Sequence, residues 1–117
     1  MAVRMLVHDS VHGSPAAGVP VQVRRMRPDG ESTEAEGTTR ESGEWEFTPD
    51  DASPGGAYRL VLDTAGYFAV LGLRSTCREV SVGFQLPPRG AAASSLIAYL
   101  TPHSITTYVF SADTSQG

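Results

Sequence analysis

The chain has 117 residues, a hydrophobic fraction of 40% and a charged fraction of 19%, which together indicate one globular domain with a single core. Its net charge of −4 leaves no basic footprint, so we expect no nucleic-acid partner. No apolar run approaches the ~20 residues of a membrane span, and the N-terminus lacks the apolar region of a signal peptide, so we expect no membrane partner.

The cysteine and arginine usage indicates a cellular compartment and a type of source. Cys77 is the only cysteine, and a single thiol builds no intramolecular disulfide, which fits a reducing compartment. We therefore predict a cytoplasmic protein, or a mature form from which a leader has been removed. All nine basic residues are arginine, which, with the abundance of alanine and glycine, indicates a GC-rich bacterial genome.

Turn-forming residues interrupt the chain at short intervals, and short runs rich in Val, Tyr, Phe and Thr lie between them. This spacing is typical of an all-β sandwich or barrel. The predicted strands, in chain order, are Arg4–Asp9, Val19–Arg25, Gly43–Phe47, Ala57–Leu62, Val80–Leu86, Leu96–Leu100 and Thr106–Ser111. One short helix is predicted at "DTAGYFAVLG", with Asp63 or Thr64 as the N-cap and Gly72 as the left-handed stop. We assign the domain to residues 4–111 and treat residues 112–117 as a flexible tail.

His8 and His12 lie four residues apart, a spacing that would place both imidazoles on one face of a helix. The alternation of residues 4–9 favours a strand instead, with Arg4, Leu6 and His8 on one face. His12 then falls in the turn that follows the strand. The three histidines and one cysteine of the chain show no metal-ligand spacing, so we predict neither a metal nor another cofactor.

Several segments, in the same order along the chain, resemble the transthyretin and hydroxyisourate hydrolase family. "HDSVHGSPAAGVPVQV" resembles the first two strands of the family and the turn between them, and "GTTRESGEWE" resembles the approach to the third strand. "YRLVLDTAGYFAVLG" resembles the next strand and the helix, and "LTPHSITTYVFS" resembles the C-terminal hairpin. The resemblance implies a transthyretin-like (prealbumin-like) sandwich of seven to eight strands with one short helix. It also implies a homotetramer, in which two dimers enclose a central channel with paired ligand sites.

Strand alternation within that implied geometry indicates which residues line the channel. They are Leu6, His8, Glu44, Glu46, Ser95, Ile97, Tyr99, Thr106, Tyr108 and Phe110. We predict that His8 is an acid–base group and that Tyr108 and Tyr99 donate hydrogen bonds to an oxyanion. Glu44 either orients the imidazole or, as the sequence favours, is a charge at the channel mouth, and it could also pair with Arg4. Two alternatives stay open: His8 packs a subunit interface, and the aromatic rings only close the channel.

The chain departs from the family at the positions that carry hydrolase activity. The resemblance implies that Leu6 replaces a catalytic histidine of the first strand, Glu44 replaces a catalytic arginine, and Ser95 lies near the place of a second histidine. The C-terminal Tyr-Arg-Gly-Ser of the hydrolases is Tyr-Val-Phe-Ser at Tyr108–Ser111. Leu6 also replaces the lysine at the transthyretin channel mouth, so a thyroid hormone would lose its carboxylate partner. The bulky aromatic residues favour a small or flat ligand.

Three functional classes follow from these observations. The first is a repurposed enzyme of bacterial specialised metabolism, which opens or closes a ring, or hydrolyses a lactam, in a small cyclic or aromatic substrate. The second, which the sequence favours only slightly less, is a non-catalytic protein that encloses an aromatic ligand as transthyretin does. The third is a hydroxyisourate hydrolase of purine catabolism, which the replaced residues argue against.

Overall fold

A computed structural model describes residues 3–48, 56–86 and 93–112 of the chain. Its elements, in chain order, are β1 (Val3–Asp9), β2 (Ser14–Pro15), β3 (Pro20–Arg27), β4 (Gly30–Thr38), β5 (Glu44–Phe47), β6 (Gly56–Leu62), α1 (Thr64–Val70), β7 (Val80–Leu86), β8 (Ala93–Leu100) and β9 (Ile105–Ala112). β1, β2, β5, β8 and β9 form the larger sheet, and β4, β3, β6 and β7 form the smaller sheet in that order.

β1 is an inner strand of the larger sheet, with neighbours along both edges. Along one edge it runs parallel to β8, which continues antiparallel into β9. Along its other edge β1 pairs antiparallel with β5 over Val3 to Leu6, and with β2 at His8 and Asp9. The smaller sheet is antiparallel throughout. The two sheets are those of a β-sandwich, as the sequence predicts.

The core lies between the sheets and is built from alternate residues of each strand. In β1, Val3, Met5 and Val7 are buried, whereas Arg4 and Leu6 are exposed, as the period of two requires. The other buried apolar residues are Ala16, Val19, Val21, Val23, Tyr58, Leu60, Leu62, Phe68, Val80, Leu96, Ala98 and Leu100. Trp45 and Phe47 of β5 pack against this cluster from its side, which confirms their predicted place in the core.

All seven strands predicted from the sequence are present, but the sequence did not reveal β2 or β4. β4 has the sequence GESTEAEGT and is largely exposed, because it pairs with β3 on one edge and lies at the border of the sheet. Only Ala35 of this edge strand packs against the core, so the strand shows almost no apolar alternation, and its charges discourage pairing with other chains. Its carboxylates instead meet arginines of β3, at 3.6 Å between Arg24 Nε and Glu31 Oε2 and 3.7 Å between Arg27 Nη2 and Glu34 Oε1.

The short helix begins and ends as its sequence predicts. The carboxylate of Asp63 accepts a hydrogen bond from the backbone N–H of Gly66 at 2.8 Å, which is an N-cap contact. At the C-terminus, Gly72 has φ +77° and donates to Ala69, and Leu73 donates to Phe68. This pair of bonds is a Schellman motif, in which glycine adopts the left-handed conformation without strain. No helix within the described ranges is long and apolar enough to cross a membrane.

A buried carboxylate joins the end of β1 to the helix. Asp9 is fully buried and accepts hydrogen bonds from the Tyr67 hydroxyl at 2.6 Å and from His12 Nδ1 at 2.7 Å. The backbone N–H groups of Val11 and His12 donate to its other oxygen. An ionised carboxylate can only accept, so Nδ1 of His12 carries the proton in this contact. His12 therefore belongs to a structural cluster and not to a pair with His8.

The Asp9 cluster shifts the pKa of both acidic partners. Burial by itself raises the pKa of the Asp9 carboxyl, but the hydrogen bonds from Tyr67, His12 and Val11 outweigh burial and lower this pKa below 3.8. Burial, the bond to Asp9 and the charge of Asp9 all raise the pKa of the Tyr67 hydroxyl above 10.0. Asp9 thus contributes stability above about pH 4, which is lost as the pH falls further. Tyr67 contributes stability below about pH 10, which is lost as the pH rises.

Replacement of Tyr67 by Phe should lower the free energy of unfolding by about 1.5–3 kcal/mol at pH 7, because it removes a hydrogen bond to a buried charge. Urea denaturation of both proteins measures this difference, with Tyr58→Phe as a control that deletes the same atom from a core tyrosine. The difference should shrink above pH 10, where only the wild type has a hydroxyl at position 67 to ionise on unfolding. A constant difference up to pH 11 would contradict the raised pKa.

Candidate functional site

The outer face of the larger sheet carries the residues that the sequence predicts for the channel wall. In β1, Arg4 and Leu6 are exposed and His8 is half-buried, and all three point away from the core. β8 places Ile97 beside Leu6 and Tyr99 beside His8. The remaining neighbours follow from the register: Glu44 opposite Leu6, Glu46 opposite Arg4, Ser95 beside Arg4, Tyr108 opposite Ile97, Thr106 opposite Tyr99 and Phe110 opposite Ser95. The fold therefore brings the predicted positions together.

Three rings form a row across this face, which we call the aromatic row: His8, Tyr99 and Tyr108. The His8 and Tyr99 ring centroids are 5.6 Å apart at an interplanar angle of 62°. The Tyr99 and Tyr108 centroids are 6.2 Å apart at 87°. Edge-to-face contacts of this kind hold rings in defined orientations. Tyr99 is 41% exposed and Tyr108 51% exposed, so the row presents ring surface outward rather than to the core.

Beside the aromatic row, at the start of β1, the same face forms an open groove of about 310 Å³. Its lining residues are Arg4, Met5, Leu6, Arg40, Glu44, Trp45, Glu46, Ser95, Leu96 and Ile97. The volume lies at the small end of the range for ligand sites. Leu6, Glu44 and Ser95, which stand where the hydrolases are expected to carry histidine, arginine and histidine, all line this groove.

The ion pair in the groove joins Arg4 to Glu46, whereas the sequence suggested a pair between Arg4 and Glu44. Arg4 Nε lies 3.6 Å from Glu46 Oε1, and no ion pair joins Arg4 to Glu44 in the described part of the chain. The cause is the antiparallel register of β1 and β5, which sets Arg4 opposite Glu46 and Leu6 opposite Glu44. Glu44 also makes no hydrogen bond or ion pair with His8 among the described residues, so it does not orient the imidazole within one chain.

A tight turn before β5 holds two groove residues in place. Arg40 N–H donates to the carbonyl of Glu44 at 2.9 Å, and Gly43 N–H donates to the carbonyl of Arg40 at 2.8 Å. The turn is fixed to β1 because Val7 N–H donates to the carbonyl of Gly43 at 2.8 Å. Gly43 has φ +80°, and a Cβ at this residue would collide with the carbonyl oxygen of Val7. Only glycine fits this close approach.

Arg40 is a groove residue that the sequence did not reveal. It precedes the "ESG" turn and does not belong to β5, so strand alternation could not assign it to a face. One signal in the sequence could have indicated Arg40. It lies on the other side of a short turn from Glu44, which was predicted to line the channel. His103 and Cys77, to which the sequence assigned no role, do not line the groove. His103 contacts Thr76, and Cys77 lies in the loop between α1 and β7.

The donor set of the described residues does not form a metal centre. No group of three or more His, Cys, Asp or Glu side chains among residues 3–48, 56–86 and 93–112 is placed to hold a metal ion. The face offers instead one imidazole, phenol hydroxyls, two guanidinium groups and two carboxylates around an apolar floor of Leu6 and Ile97. Such a surface can bind a small ring and exchange protons with it.

Two sheets, one short helix and a parallel pairing of β1 with β8 make up this sandwich, and its similarity to solved structures shows that it is transthyretin-like. The model of the HIUase/Transthyretin family matches residues 3–109, and the chain belongs to this family. Transthyretin from Sparus aurata is 28% identical, with a TM-score of 0.85 over 95% of this chain and 97% of that chain. Sea bream transthyretin in complex with thyroxine is 28% identical, with a TM-score of 0.83 over 94% and 95% of the two chains.

Replacement of Gly43 by Ala should destabilise the protein more than replacement of Gly72 by Ala. Both glycines have a positive φ, which costs another residue about 1–2 kcal/mol. A Cβ at Gly72 meets nothing within 4 Å, whereas at Gly43 it collides with backbone, which adds about 1–3 kcal/mol of overpacking. Thermal or urea unfolding of the two variants measures this difference. Equal costs would show that the turn moves freely over β1.

Proposed function

We propose that this chain binds and converts a small cyclic or aromatic molecule on the outer face of its larger sheet. The observation that carries the proposal is the continuity of that face: an exposed aromatic row and a charged groove adjoin each other over β1 and β8. Exposed apolar surface next to a few placed polar groups is characteristic of a ligand site. The complex of sea bream transthyretin with thyroxine, a protein of the same family, supports small-molecule binding.

We further propose that the site is enclosed in the central channel of a homotetramer. A single chain leaves Tyr99 and Tyr108 widely exposed, and burial of this ring surface favours association. β9 pairs with β8 on one edge, and no strand of the described ranges pairs with its other edge, where a second copy could add its own β9. Residues 4–111 would form the assembling domain. Ala112, which the sequence assigned to the tail, belongs to β9, and the rest of the predicted tail, 113–117, lies outside the described residues.

Light scattering at micromolar concentration should report about four chains per particle, the number that a tetramer of two dimers requires. The measurement should be repeated over a tenfold dilution to separate a stable assembly from a weak one. A monodisperse single chain at every concentration would remove the channel and leave the groove as the only site.

In the proposed reaction His8 moves the proton. Its imidazole lies on the same face as the groove, in contact with Tyr99, and an imidazole can accept a proton from one reacting group and return it to another. Tyr99 and Tyr108 would stabilise an oxyanion through their hydroxyls, and Glu44 would act on the substrate as a groove charge. In hydrolytic ring opening of a lactam, His8 would take a proton from water as its oxygen bonds to the carbonyl carbon, and would return that proton to the leaving nitrogen as the C–N bond breaks. Ring closure would be the reverse of this reaction and would release water.

We assign this reaction to bacterial specialised metabolism in the cytoplasm, as the arginine-only basic residues and the single cysteine suggest. Hydroxyisourate hydrolysis is disfavoured because the groove holds Leu6, Glu44 and Ser95, which cannot replace two histidines and an arginine. A binder without catalysis is the second candidate. It is favoured by the thyroxine complex of the sea bream protein and by the absence of a contact between Glu44 and His8 in the described residues.

Replacement of His8 separates the enzyme from the binder. If His8 is the acid–base group, His8→Ala should lower turnover by ~100-fold or more, and His8→Gln should be almost as damaging, because glutamine cannot cycle a proton. Turnover is followed by mass spectrometry, as depletion of a compound from a metabolite extract of the source organism. His103→Ala, which removes an exposed histidine that contacts Thr76 and does not line the groove, is the matched control.

The binder predicts a different pattern for the same variants. No compound would be consumed by the wild type, one would be retained on the protein, and His8→Gln would keep most of the affinity because it keeps a hydrogen-bonding side chain. If His8 only packs an interface, His8→Ala would weaken the tetramer in light scattering, and His8→Gln would restore much of it. Full turnover by both variants in an intact tetramer would eliminate His8 as the catalytic residue.

A further inference from the structure

We infer that Arg40 makes the groove selective for a ring compound that carries an anionic group, a carboxylate above all. The inference rests on the proposed function, because it assumes that the groove takes part in ligand binding. It goes further, since it names the chemical class of the ligand and the residue that recognises it. Its basis is the distribution of charge in the groove and the way in which the turn before β5 holds Arg40.

Two of the four charges in the groove neutralise each other. Arg4 and Glu46 form an ion pair at 3.6 Å, with side chains 71% and 39% exposed. The guanidinium of Arg40 makes no hydrogen bond or ion pair with any described residue, and neither does the carboxylate of Glu44. The two are not paired with each other, although their backbones are hydrogen-bonded across the turn. Arg40 is therefore available to a ligand.

The backbone of Arg40 is fixed more firmly than that of an ordinary loop arginine. Its N–H and its carbonyl are both hydrogen-bonded within the turn, at 2.9 and 2.8 Å, and Gly43 anchors the turn on β1. A guanidinium group presents a planar fork of donors that matches a carboxylate in two parallel hydrogen bonds. With the backbone preordered, less conformational entropy is lost when this contact forms.

The apolar side of the groove completes the description of the ligand. Leu6 and Ile97 lie side by side on β1 and β8, between the Arg40 turn and the aromatic row. A flat ring placed on these two side chains buries apolar surface, and an anionic substituent on it can reach Arg40 at the edge of the groove. Glu44 lines the same groove and repels such an anion, so the two residues should affect its binding in opposite directions.

A pair of probes that share a ring and differ in charge tests this inference: 2-naphthoate and 2-naphthamide. Both are titrated into the assembled full-length protein, and binding is followed by fluorescence or calorimetry. Wild-type protein should bind the carboxylate about tenfold more tightly than the amide, because charge-assisted hydrogen bonds are stronger than neutral ones. Added salt should reduce this preference, since the groove is open to solvent.

The variants report on each charge separately. Arg40→Gln should weaken 2-naphthoate binding about tenfold and leave 2-naphthamide binding nearly unchanged. Glu44→Gln should strengthen 2-naphthoate binding a few-fold, because a repelling carboxylate is removed. Arg74→Gln, which removes an exposed arginine from the loop after α1, is the matched control and should change neither affinity. Circular dichroism and light scattering confirm that each variant keeps its fold and assembly.

The outcomes distinguish this inference from the proposed function. Equal binding of the two probes, with no effect of Arg40→Gln, would overturn the selectivity and leave small-molecule binding intact. Equal weakening of both probes by Arg40→Gln would also overturn it, since Arg40 would then act through the shape of the groove. Failure of the wild type to bind either probe would count against both the selectivity and the proposed ligand site.

Discussion

The larger sheet depends on β1, because both edges of this strand are hydrogen-bonded. One edge pairs with β8 over the whole length of β1, and the other is divided between β5 and β2. A strand held on both sides cannot shift its register without moving every neighbour, and a shift by one residue would turn its apolar residues outward. The same constraint that buries Val3, Met5 and Val7 therefore presents Leu6 and His8 on the opposite face.

The two ends of β1 direct their polar side chains to opposite faces of the larger sheet. At its C-terminal end Asp9 turns inward, where Tyr67 and His12 satisfy its carboxylate, and this contact ties the larger sheet to the helix of the smaller one. A buried charge is tolerated there because four hydrogen-bond donors are directed at its carboxylate. At the N-terminal end the polar groups turn outward into the groove, where water and ligands reach them. The core and the proposed ligand site thus use opposite faces of one strand.

The groove differs from the Asp9 cluster in how completely its charges are paired. In the cluster the carboxylate has four donors, whereas in the groove one ion pair forms and the charges of Arg40 and Glu44 have no partner among the described residues. Unpaired charges on a surface cost little in stability because water solvates them. They are therefore available for recognition, and the turn at Gly43 determines where they stand.

The sequence alone determined the all-β class, the alternation of β1 and the limits of the helix, because these follow from periods and capping residues within a few positions. The choice of a sandwich over a barrel came from the resemblance to a known family. The sequence did not reveal β4, whose exposed edge position removes the apolar alternation on which strand prediction relies. It placed Glu44 and Glu46 on the correct face, but only the register of β5 against β1 decided that Arg4 meets Glu46 and not Glu44. Arg40 lines the groove from a turn, and a turn has no periodicity from which the direction of a side chain can be predicted. Contacts between segments distant in the chain depend on register and on the docking of turns, and these are decided by the packing of the whole sandwich.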